Sequence, residues 1–96
     1  MKNLYFLFLL FLVSNLNSQD LELFEKDVFV FENDTLNYRI LKPLDYDSSK
    51  KYPLHLVLHG SGERGNDNVS QLIHGGNLFL KKENREEYKS WVIFPQ

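Results

Sequence analysis

Apolar and polar positions fall into four blocks along the chain, each with its own period. Val28 to Phe31 is a run of strong β-formers, and Glu32-Asn33-Asp34 follows it as a turn. Leu36, Tyr38 and Ile40 then alternate with Asn37 and Arg39, the period of two of a half-buried strand. The two segments predict an antiparallel hairpin. Pro43 ends it, and Asp45 to Lys51 is a polar loop of turn residues. Leu54 to Leu58 is short, mostly apolar and bounded by Pro53 and Gly60, which predicts a strand covered on both sides. Trp91 to Phe94 is a second run of that kind. About 30 residues lie between these two strands, enough for the helical crossover that a parallel pair requires. Asn68 with Gln71 three residues on reads as a capping box opening a helix. Gly75-Gly76 would break it, and Asn77 to Tyr88 would resume as a second, charged helix. A hairpin, a buried strand, a crossover and another buried strand is the opening of an α/β sheet.

The front of the chain follows a different pattern. Lys2 precedes ten consecutive apolar residues, Leu4 to Val13, and Ser14 to Gln19 is polar and small. A run of that length is too short for a bilayer, which needs about 20 residues. Its position predicts a signal peptide over 1–18, with a cut between Ser18 and Gln19 and a mature domain over 19–96. Export implies a secreted or periplasmic protein with no membrane span once the leader is gone. The chain has no Cys, so no disulfide, thiol nucleophile or thiolate metal ligand lies within it. Removing Lys2 from the 11 basic residues leaves 10 against 13 acidic ones, a net charge of −3. No cluster of Lys and Arg marks a nucleic-acid footprint.

Chemistry concentrates in Gly60-Ser61-Gly62-Glu63-Arg64-Gly65, directly after the strand at Leu54 to Leu58. The letters match G-x-G-x-x-G. A dinucleotide site, however, needs a helix to start within the motif, and Asn66-Asp67-Asn68 is a helix-poor turn. A second reading is a tight strand-to-loop turn with no chemistry. A third is a loop whose backbone N–H groups face a negatively charged oxygen, the role of the H-G-G-G-type loop after the third strand of α/β-hydrolases.

The third reading is strengthened by a resemblance. Tyr52-Pro53-Leu54 through H-G-S-G-E-R-G-N-D-N, then Gln71-Leu72-Ile73-His74-Gly75-Gly76 and Val92-Ile93-Phe94-Pro95-Gln96, resembles the N-terminal part of exported α/β-hydrolases. These are the dienelactone-hydrolase-like, phospholipase/carboxylesterase-like and prolyl-oligopeptidase-like predicted peptidases. The likeness covers about Asp34 to Gln96. The block H-G-x-G-E-R-G-x-D-N is fairly specific to this group, whereas H-G-x-G alone is not. The resemblance implies the N-terminal part of an α/β-hydrolase fold, truncated, acting in its full-length form on a small-molecule ester or peptide. It implies that Ser61 offers its backbone N–H to the oxyanion and that Gly62 leaves room for the substrate carbonyl. His59, Gly60, Glu63, Arg64 and Gly65 would support the loop, as would His74. No cofactor and no metal is implied; His55 and His59 stand about 13 Å apart along a strand, too far to share an ion.

The same resemblance places the nucleophile in a later G-x-S-x-G elbow. Ser61, Ser70 and Ser90 all lack glycines at the required positions, so no nucleophile, triad acid or triad base is assigned here. Three functions therefore stay open: the N-terminal fragment of a secreted serine hydrolase supplying the oxyanion loop, a truncated and inactive product, or a small secreted β-rich binding module. In the fragment reading Trp91 to Phe94 would form a free sheet edge. Asn33-Asp34-Thr35 and Asn68-Val69-Ser70 also match the N-glycosylation pattern.

Overall fold

The computed structural model describes residues 20–96. The expected signal peptide and its cut lie outside the described residues. The hairpin forms as strands β1 (Glu25–Phe31) and β2 (Asp34–Leu41), paired from Glu25 with Ile40 to Phe31 with Asp34. The loop between them is Glu32-Asn33, and Glu32 takes the left-handed conformation, φ 56°. Strand β3 covers Leu54–Leu56 and β4 covers Trp91–Pro95. The sheet order is β1-β2-β4-β3, antiparallel except for the parallel β3/β4 pair. The crossover joining that pair contains helices α1 (Gly76–Leu80) and α2 (Lys82–Glu87).

The strand order overturns one expectation. Trp91 to Phe94 is not a free edge, because β2 fills one side of β4 and β3 fills the other. The free edge is β3. The expectation that Leu54 to Leu58 is covered on both sides also fails. Leu54, Leu56 and Leu58 are 59%, 62% and 73% exposed, since their face of the sheet has nothing packed on it among the described residues.

Only the opposite face is covered. Phe24, Leu41, Leu72, Val92 and Phe94 form its core, with Leu21, Val57, Phe79 and Leu80 packed around them. The Phe94 ring meets Phe24 edge-on at 5.3 Å and Phe79 edge-on at 5.9 Å, a favoured aromatic arrangement. This face carries Arg39 and Leu41, which are buried, whereas Leu36 lies on the open face and is exposed. The alternation in β2 is real, but the parity holding the charged residue points inward.

The helical crossover departs from the expected boundaries. Asn68 is not the cap: Asp67 is, its Oδ1 accepting the Val69 and Ser70 N–H groups at 3.0 Å. What it caps is only a 3₁₀ turn, Ser70–Leu72. Gly75-Gly76 opens α1 rather than ending a helix. Gly75 needs its positive φ of 109°, and a Cβ on Gly76 would stand 3.0 Å from Leu21 and 3.3 Å from Leu72. The segment Asn77 to Tyr88 is split at Lys81, whose ψ of 132° is extended. Phe79 and Leu80 pack on the core before the split, and Lys82–Glu87 after it has no apolar residue to follow them.

Candidate functional site

The β3 ladder runs on to Val57, whose N–H donates to the Ile93 carbonyl at 2.9 Å, and the chain then leaves the sheet. His59 Nδ1–H donates to the Gly60 carbonyl at 2.6 Å, which fixes the ring tautomer and the carbonyl together. Gly60 is extended, and Ser61–Glu63 forms a single 3₁₀ turn closed by the Glu63 N–H on the Gly60 carbonyl at 3.2 Å. No α-helix opens within the glycine loop, so a pyrophosphate would find no helix N-terminus there. Among the described residues, neither the Ser61 nor the Gly62 N–H finds an acceptor. Both residues are exposed, and a Cβ on Gly62 would meet nothing within 4 Å.

The loop is held at both ends. Glu63 turns inward and is buried, and its Oε1 sits 3.1 Å from His74 Nε2. Its partner is therefore His74, not the adjacent Arg64, which is exposed and forms no ion pair with the described residues. Gly65 follows with φ 142°, a conformation a side chain rarely adopts. Gln96 crosses from the end of β4 to the far end of the loop. Its Oε1 accepts the Asn68 N–H at 2.6 Å, and its Nε2 donates to Asp67 Oδ1 at 2.7 Å and to the Glu63 carbonyl at 3.3 Å.

Beneath these lies a buried polar cluster. The Arg39 guanidinium donates to the carbonyls of Phe24 and Leu21 and, at 2.9 Å, to that of Asn68. Desolvation lowers the Arg39 pKa, while the charge of Glu22 opposes the shift. Asn68 Nδ2 donates to the Tyr38 carbonyl at 3.1 Å, and Gln71 Nε2 donates to Asn68 Oδ1 and to the Phe94 carbonyl. Asn68 is thus consumed by the fold and closed to glycosylation in the folded chain. The Asp67 carboxylate is held well below the usual range by the Ser70 hydroxyl, the Ser70 N–H, Gln96 and the Val69 N–H.

The structure thus brings His59, Gly60, Ser61, Gly62, Glu63, Gly65 and His74 around one loop and leaves Arg64 outside it. Sequence reasoning missed Arg39, Asp67 and Gln96 as supports. The only signal for them was an arginine in an alternating strand and an Asp-Asn pair after the glycines. Among the described residues no group of three or more His, Asp and Glu could hold a metal ion. No helix there is long and apolar enough to cross a membrane.

No family model and no curated protein matches the chain. Among solved structures it is similar to a thermostable esterase, with 30% identity and a TM-score of 0.72 over 79% of this chain. The chain spans 21% of that esterase's length. The likeness supports an esterase-like α/β-hydrolase relationship, and the mixed four-stranded sheet is compatible with part of such a fold.

Proposed function

We propose that residues 19–96 are the N-terminal portion of a secreted or periplasmic serine hydrolase acting on carboxylic esters, and that they supply its oxyanion loop. The observation that carries the reading is the pair of unpartnered, exposed N–H groups at Ser61 and Gly62, on a loop fastened to the sheet at both ends. Donors fixed before the reaction stabilise a developing oxyanion without reorganising, and losing one costs about 10²–10³ in kcat. In this reading Ser61 acts through its backbone, and His59, Glu63 and His74 position it. The esterase likeness favours an ester over a peptide substrate.

The test begins with the DNA beyond codon 96, which should continue in frame to a G-x-S-x-G elbow. In that protein Ser61→Ala should leave kcat on p-nitrophenyl esters within a few fold. Ser61→Pro, which deletes the N–H, should lower it by about 10²–10³. Proline suits the first position of a helical turn, and the extended Gly60 before it accommodates the ring, so the loop should survive. A Ser61→Ala variant that abolished turnover would show the hydroxyl to be the nucleophile and would sink the proposal.

A further inference from the structure

A cavity of about 270 Å³ opens on the covered face of the sheet, between the strands and helices α1 and α2, and shares no lining residue with the glycine loop. Its floor is apolar: Leu41 and Val92 are buried there, and Phe79 walls one side. The polar groups on its lining are of one kind. Lys42, His55 and Arg85 contribute to it, and no Asp or Glu does, although α2 carries Glu83, Glu86 and Glu87. Among the described residues neither Lys42 nor Arg85 is in an ion pair. One Arg85 N–H is engaged, donating to the Lys42 carbonyl at 3.1 Å, which holds the guanidinium beside the ammonium stem. The remaining guanidinium donors have no partner among the described residues. The His55 ring lies 5.7 Å from that of Phe79, so the imidazole stands where the apolar wall begins.

An apolar pocket with a few convergent polar groups is the general form of a small-molecule site. Here the volume falls just short of the roughly 300–1,000 Å³ used by drug-sized ligands, and the convergent groups are cationic or hydrogen-bond donors. The geometry points to a medium-chain aliphatic carboxylate as the occupant. Its alkyl chain lies against Leu41, Phe79 and Val92, and its carboxylate meets Lys42 and Arg85. A neutral alcohol would satisfy the floor but leave the cations unanswered, and a shorter acid would satisfy the cations but leave the floor in water.

Octanoate, kept below its micellar concentration, is the probe, and the full 96-residue chain is the protein. Equilibrium dialysis should show one saturable site, and amide resonances of Leu41, Phe79 and Val92 should shift on titration. Octan-1-ol and butyrate should each bind about tenfold more weakly, as should octanoate to the Lys42→Gln/Arg85→Gln double variant, since a hydrogen bond to a charged group is worth about that factor or more. Leu78→Trp, which fills the mouth from an exposed position, should abolish binding while leaving the fold intact. Octan-1-ol binding as tightly as octanoate would overturn the inference. So would unchanged affinity in the double variant, shifts centred on Leu56 and Ile93 of the opposite face, or no binding at all.

Discussion

Asp67 accepts four hydrogen bonds with one carboxylate, two from Ser70 and one each from Val69 and Gln96. All four favour the charged form, so its pKa is depressed in the folded chain relative to about 3.9 when unfolded. A depressed carboxylate contributes stability that is present above the unfolded pKa and is lost as pH falls through the folded one. Urea denaturation should therefore show stability falling below about pH 4. Asp67→Asn should flatten that fall while costing stability at pH 7; an unchanged acid limb would mean that other carboxylates carry it. The glycines of the loop should separate in the same assay. Gly65→Ala forces a side chain into φ 142° and should cost about 1–3 kcal/mol. Gly62→Ala meets open space and should stay within about 0.5 kcal/mol of the parent. Gly62 would then be free of structural duty, as expected of a residue that keeps room for a substrate.

Elements were more legible than the contacts that fasten them. The hairpin, the two later strands and the parallel crossover follow from period and spacing, because alternation and β-propensity are local properties of the chain. Which side of β2 faces the core is not local. Leu36, Tyr38 and Ile40 look like the inner face until the carbonyls of Leu21, Phe24 and Asn68 are seen converging on Arg39 from the other side. The helix boundaries were misplaced for a related reason. Asn68 and Gln71 have the spacing of a capping box, but the fold spends both side chains on the buried cluster and leaves capping to Asp67. The glycine loop could be located from sequence, since a β-run ending in His59-Gly60 has few other uses. Its clamp could not, because Gln96 and His74 reach it from distant parts of the chain. Arg39 gives this scale its prediction. Arg39→Met matches the stem but leaves three buried carbonyls short of a donor, at about 1–3 kcal/mol each. Against a total stability of about 5–15 kcal/mol for a whole domain, that loss should unfold the chain or broaden its urea transition. A cooperative transition near the parent midpoint would show that water replaces the guanidinium.

At the scale of the whole molecule, one sheet face is packed and the other is bare. Leu36, Tyr38, Ile40, Leu56, Leu58 and Ile93 adjoin across β2, β4 and β3 in a single apolar surface. It runs to β3, whose outer edge has no strand beside it among the described residues. Monomeric proteins rarely expose contiguous apolar patches beyond a few hundred Å², and an unpaired edge is a template for another chain. The two features coincide here, so each strengthens the other: a neighbour that pairs with β3 also covers Leu56 and Leu58. A chain beginning at Gln19 should therefore self-associate reversibly. Sedimentation velocity should show the mean species growing with concentration. Leu56→Lys places a charge on both the edge and the face, at a position already 62% exposed, so it should cost the fold little. It should shift the population to monomer, whereas Val28→Lys on the far edge strand β1 should not. Equal dispersal by both variants would assign the association to general apolar exposure and not to β3.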